Sequence, residues 1–204
     1  MKCLTIICIL LSYSLYSQAV VPIYKNSRDA DDVYYKDTFN DFDKFTGTWK
    51  YTNGNTSLTI VLQKKLMQEK TLPGSFYYED IVIGGYKYVE NGVEKVNTLH
   101  LLMLNMPSNY DYPIVGSNII GPGSIYCQGC GVSDRKLLLQ FSEPNREVPG
   151  YEPEMIFQRA DSGSVQKLKL KFRTISGRYD EEGVTPQYTS YSIPFGEYLL
   201  VKQP

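Results

Sequence analysis

The chain has 204 residues, a formal charge of -1, 42% hydrophobic and 13% aromatic residues. So slight a net charge argues against a partner such as nucleic acid or anionic lipid, which needs a strong positive field to be gathered. One histidine and four cysteines leave little material for catalysis or metal binding, while 18 tyrosines against eight phenylalanines suit strands with one buried face and one wet edge.

Residues 1–17 carry a cation at Lys2, an apolar run from Cys3 to Leu11 too short to cross a bilayer, and then small residues at Ser12, Ser14 and Ser17. That order is the order of a secretory signal peptide, the competing reading being a buried N-terminal strand. Cleavage is expected after Ser17, with Ser14 and Ala19 as alternatives, which places the mature chain in the periplasm or the medium. Cys3 and Cys8 fall inside the leader, too early for a lipid-attachment cysteine. Removing 17 of 204 residues leaves 187 and takes the charge to -2 through the loss of Lys2. That is enough for one domain with a sizeable core. No later apolar stretch is long enough for a membrane helix.

Residues 18–43 are polar and acidic and read as an extended lead-in ending in a short helical turn, with Tyr34, Tyr35, Phe39 and Phe42 as anchors. The cluster Asp29, Asp31 and Asp32 lacks the glycine and distal glutamate of a calcium loop, so it reads as a solvated linker. From residue 44 to 204 a single domain is expected.

Phe45-Thr46-Gly47-Thr48-Trp49-Lys50-Tyr51 starts a period-two pattern, which puts alternate side chains on opposite faces of a sheet. Asn53-Gly54 turns it into a second strand whose Leu58, Ile60 and Leu62 share a face. A third strand is expected over 77–88, and Asn91-Gly92 turns it into a fourth at 93–97. Residues 98–124, rich in Pro, Gly, Asn and Tyr, predict a long loop with one short strand near Ile114 or Ile119. Strands resume at 136–142, 155–159, 168–174 and 198–202. In the 168–174 strand, Leu168, Leu170 and Phe172 face one way and Lys167, Lys169, Lys171 and Arg173 the other. Such a basic row is the ordinary product of one wet face, with an anion-binding stripe as the competing reading. The predicted fold is all-β, an antiparallel up-and-down barrel of about 8–10 strands, with a β-sandwich as the alternative.

The Phe45-x-Gly47-x-Trp49 motif resembles the opening of lipocalins and other calycins. The resemblance covers residues 45–51 and implies a barrel plugged at its closed end by Trp49, beneath a basic side chain from near the last strand. Lys202 is the first candidate for that cation and Arg178 the second. The longer string from Phe45 to Thr56, with Ser17-Gln18 at the leader's end and Leu200-Val201-Lys202-Gln203 at the C-terminus, looks like a family of small uncharacterised exported proteins of flavobacterial type. That resemblance implies an exported lipocalin-like domain and no established activity.

Cys127-Gln128-Gly129-Cys130 holds every cysteine beyond the leader. A redox pair wants a helix N-terminus to stabilise the thiolate, and no helical pattern follows. A zinc site would have to recruit His100 and a carboxylate. A small disulfide closing a turn is the preferred reading, contributing roughly 1–2 kcal/mol because the ring is short. His100, among Leu99, Leu101 and Leu102, is expected to be partly buried, with no nucleophile or orienting acid nearby. Glu79 and Asp80 adjoin on one strand and point to opposite faces, so they are no glycosidase pair, and Asp180-Glu181-Glu182 reads as a solvated turn. Gly121-Pro122-Gly123 is not a phosphate loop. Tyr77, Tyr78, Tyr86, Tyr88, Tyr110 and Tyr112 read as strand and turn tyrosines, with cavity lining or sugar stacking as the alternative.

The expected function is therefore that of an exported, non-enzymatic, lipocalin-like barrel without cofactor or metal. Its interior would hold a small apolar or aromatic molecule against Leu58, Ile60, Tyr77, Leu139, Phe157 and Leu170. The alternative is a filled barrel acting through its surface on an envelope or extracellular protein, using residues 98–124. A thiol-disulfide enzyme using Cys127 and Cys130 ranks last.

Overall fold

The computed structural model describes residues 18–24, 30–127, 129–131, 133–177 and 185–204. The expected leader, Asp29, Arg178 and the 180–182 acidic turn lie outside the described residues. Eleven strands follow in chain order: β1 (Ala19–Pro22), β2 (Val33–Lys36), β3 (Gly47–Asn53), β4 (Thr56–Leu72), β5 (Ser75–Glu90), β6 (Val93–Asn97), β7 (Ile114–Ile120), β8 (Lys136–Phe141), β9 (Pro153–Arg159), β10 (Lys167–Thr174) and β11 (Gly196–Lys202). Helical structure among the described residues is limited to short 3-10 turns, and none of it is long and apolar enough to cross a membrane.

Eight of these strands close an antiparallel barrel in the order β3, β4, β5, β7, β8, β9, β10, β11, and β11 returns to β3 through Val201 opposite Lys50 and Lys202 opposite Trp49. The expected barrel is thus observed. The strand at 93–97 is not one of its staves: β6 is a flap on the far end of β5, pairing Lys87 with Asn97 and Glu90 with Val93. The free edge of β5 is shared among β2 at Tyr78 and Glu79, β7 at residues 82–84, and β6 beyond that.

Turn chemistry explains the hairpins. Asn91 and Gly92 both take positive φ, 51° and 81°, as a two-residue turn between twisted strands requires. Between β3 and β4, Gly54 is the residue at positive φ, while Asn53 still pairs with Thr56 as part of the strand. Closure depends on Gly84. A β-carbon there would lie 2.7 Å from Leu62 Cδ2, 3.0 Å from the Val61 carbonyl oxygen and 3.1 Å from Ile114 Cβ, so β7 reaches β5 only past a residue with no side chain.

The interior follows the register. Leu137, Phe157, Leu170 and Tyr198 lie opposite one another across β8 to β11, and Trp49, Ile60 and Tyr86 do so across β3 to β5. All belong to one buried apolar cluster. Leu168, Leu170 and Phe172 are inward, as alternation predicts, while Lys169 and Lys171 are exposed.

The lead-in is more ordered than expected from its polarity. β1 and β2 pair in parallel, β2 pairs in parallel with β5, and a 3-10 turn at Asp41–Lys44 brings Phe42 into the core, followed by the equally buried Phe45. Two buried carboxylates fasten this segment. Asp37 accepts hydrogen bonds from the Tyr24 hydroxyl (2.5 Å) and the Asp41 and Phe42 amides (both 2.9 Å). Asp80 accepts from the Asp37 amide (2.9 Å), the Tyr34 hydroxyl and the Met67 amide (3.0 Å). The solvated-linker reading is corrected in part, since Asp31 is exposed yet accepts from the Phe76 amide at 3.0 Å and so docks on β5.

Candidate ligand and interaction site

The six residues expected to line a ligand chamber are all in the described core. Leu58, Ile60, Leu139, Phe157 and Leu170 are 0% exposed and Tyr77 is 2% exposed. Tyr77 meets Tyr35 edge-on at 5.2 Å between ring centroids, and Phe157 stands directly opposite Leu170. None of these six lines either of the two clefts described below.

The Gly-x-Trp motif has a physical basis in this fold. Trp49 is fully buried and donates its Nε1–H to the Phe45 carbonyl at 2.7 Å. Lys202 Nζ lies 5.4 Å from the indole, and the Arg159 guanidinium also lies 5.4 Å from it. Both cations thus lie near the indole, and Arg159 is one that sequence reasoning missed. Gly47 sits at φ 116°, and a β-carbon there would approach Lys202 Cε to 3.2 Å. The glycine leaves room for the lysine that covers the tryptophan.

A cleft of about 850 Å³ lies outside the barrel, where the distal half of β4 faces residues 105–110. Local sequence builds both walls. On β4 the register shifts between Lys65 and Gln68, with Met67 at φ 51°, and this bulge re-aims the strand beyond it. On the other side Ser108 caps a 3-10 turn at Asn109–Asp111, accepting from the Tyr110 amide at 3.2 Å, while Asp111 accepts from the Ser108 amide at 3.0 Å.

The walls are joined by polar contacts. Lys65 Nζ donates to Asn109 Oδ1 and to the Tyr112 hydroxyl, both at 3.2 Å, and stands 4.6 Å over the Tyr112 ring. Tyr112 in turn donates to the Leu104 carbonyl at 2.7 Å. Lys70 donates to the Tyr110 hydroxyl, lies 4.7 Å over that ring and pairs with Glu79 at 3.5 Å. Burial works to lower the Lys70 pKa, but the Tyr110 hydrogen bond and the Glu79 charge outweigh it, and the ammonium is held above its ordinary value. Leu66 and Met67 at the bulge, Met103 and Leu104 just before the second wall, and Tyr110 within it are exposed. Apolar side chains beside fixed polar groups form the kind of surface that proteins use for contacts.

The remaining candidates are dispersed. His100 is exposed, not partly buried: its 3-10 turn at Leu99–Met103 lays Leu99 and Leu102 against Gly85 of β5 and turns the imidazole outward. Glu79 accepts from Ser117 Oγ at 2.7 Å while Asp80 binds the lead-in, so the two carboxylates serve opposite sides of β5. Cys127 and Cys130 form a disulfide with Cα atoms 5.3 Å apart at the end of a 3-10 turn. Among the described residues no group of three or more His, Cys, Asp or Glu converges as a metal site requires.

The profile of a family of unknown function, DUF6705, matches residues 1–203. No curated protein and no solved structure matches the chain.

Proposed function

The chain belongs to that family of unknown function, and with no activity to inherit from it we propose an exported, non-enzymatic binding module that works through the outside of its barrel. Its contact site is the cleft between β4 and residues 105–110. The observation that supports this reading is the distribution of space and side chains. The interior positions are packed against one another, whereas the cleft of about 850 Å³ is walled by a bulged strand and a capped turn. Lys65 and Lys70, each seated over a tyrosine ring, tie β4 to the opposite wall. Export rests on the order of charge, apolar run and small residues in 1–17.

The test is native mass spectrometry of protein purified without refolding from its own host, followed by hydrogen exchange on whatever complex is found. Protection at 65–71 and 104–112 is expected, with loss of the complex in Tyr110→Ala. A bound small molecule that protects 58–62, 155–157 and 168–170 instead would replace this reading with the interior-ligand one.

A further inference from the structure

The outward face of β8 to β11 carries a second site, lined by none of the residues that line the cleft just described. Register places Lys136 opposite Gln158 and Gln158 opposite Lys169. The next row runs Leu138, Ile156, Lys171, Glu197, and the next pairs Gln140, Glu154 and Arg173. Lys169 and Lys171 are exposed, as on any wet strand face, but beside them the connection from β7 to β8 folds back over the sheet. Ile120, Cys127 and Ile156 are buried together, with Tyr126, Cys130 and Leu138 packed against them. Tyr126 thereby becomes one wall of a cleft of about 310 Å³ whose floor is Ile156 and Gln158.

The cations around that cleft are not equivalent. Arg173 is committed, because its Nε donates to Glu154 at 2.6 Å and its guanidinium lies 4.7 Å from the Tyr126 ring, so it holds the wall. Lys136 leans toward the loop, donating to the Tyr126 carbonyl at 3.3 Å. Lys169 is shared with Glu197 at 2.9 Å, a pair in which both partners are about half exposed, and such pairs are worth little. Lys171 has no ionic partner among the described residues. By contrast, Lys87 and Lys95 on the β5–β6 flap are each matched by a glutamate, Glu94 and Glu90. Lys169 and Lys171 are about 7 Å apart along the strand, and Lys136 is about 10 Å away across two strand spacings. Three donors so placed around a walled hollow suit one compact oxyanion, and the chain's charge of -1 gives no field for a long polyanion.

We propose that this cleft binds a small molecule bearing a phosphate or sulfate group. Lys171, Lys169 and Lys136 supply the charge contacts, Tyr126 forms the wall, and the Cys127–Cys130 disulfide keeps that wall in position. The experiment is a titration of the oxidised mature chain at low ionic strength with inorganic phosphate, inorganic sulfate, glucose 6-phosphate and glucose 6-sulfate. Lysine side-chain and tyrosine ring resonances are followed by NMR. Saturable shifts are expected at Lys136, Lys169, Lys171 and Tyr126, with affinity falling about tenfold in Lys171→Gln, as loss of a charge-assisted contact implies, and unchanged in Lys95→Gln. Tighter binding of the esters than of the free ions assigns an organic ligand, and equal binding assigns the free anion. Shifts spread evenly over all lysines, or an affinity that Lys171→Gln leaves intact, would overturn the site. Reduction of the disulfide should weaken binding, and an unchanged affinity after reduction removes the disulfide from the proposal.

Discussion

Trp49→Ala is the most direct test of the barrel's closed end. The indole is fully buried, its N–H is bonded to the Phe45 carbonyl at 2.7 Å, and two cations lie 5.4 Å from the ring. Truncating a buried aromatic to alanine costs about 3–5 kcal/mol. The Phe45 carbonyl then loses its donor, a penalty of about 1–3 kcal/mol that water entering the vacated space partly offsets, so the expected loss is near the upper end, about 4–5 kcal/mol. Against a total stability of about 5–15 kcal/mol this is a large fraction.

The assay is urea unfolding followed by far-UV circular dichroism, because the substitution removes the chain's single tryptophan and with it the fluorescence signal. Trp49→Phe separates the contributions: it keeps most of the apolar volume, loses the N–H, and should cost about 1–2 kcal/mol. A double-mutant cycle with Lys202→Met should return a coupling of about 0.5–1 kcal/mol for the cation–ring contact. A loss below about 1 kcal/mol in Trp49→Ala would place the indole outside the energetic core and refute this account of the plugged end.

What could be read from sequence was what local patterns encode. Period-two alternation marked Leu168, Leu170 and Phe172 as inward before any fold was known, and Asn91-Gly92 fixed its turn because both residues tolerate positive φ. The same logic should have found Pro73-Gly74, which turns β4 into β5 with Gly74 at φ 80°. The distal half of β4 was not legible. Its run Lys64, Lys65, Gln68, Glu69, Lys70 has no apolar face, and its bulge interrupts the alternation. Closure of β5 on β7 is a pairing of residues about thirty apart in sequence, and the only local trace of it is the Gly84-Gly85 doublet. The cleft is harder still, since Lys65 and Asn109 meet only after the barrel has formed. Arg159 was missed for the same reason: it reaches Trp49 by register across several strands.

Gly84→Ala should destabilise by about 1–3 kcal/mol in urea unfolding, because the added methyl has backbone and a β-carbon within 3.1 Å as well as a movable leucine tip. Replacing Cys127 and Cys130 by serine should cost only about 1–2 kcal/mol, measured as a calorimetric shift that reductant reproduces in the wild type. The last prediction concerns acid. Burial acts to raise the Asp37 pKa, but hydrogen bonds from Tyr24 and the Phe42 and Asp41 amides, with the Lys64 charge, outweigh it and hold the carboxyl below its ordinary value of 3.8. A depressed pKa means that the unfolded chain takes up this proton first. The stabilisation is therefore complete above the unfolded value near 4 and drains away as pH falls through and below it. Asp37→Asn should lower stability at neutral pH by about 1–3 kcal/mol and flatten that acid limb. If the variant instead loses stability between pH 5 and 3 as steeply as the wild type, other carboxylates fasten the lead-in to the barrel and Asp37 does not.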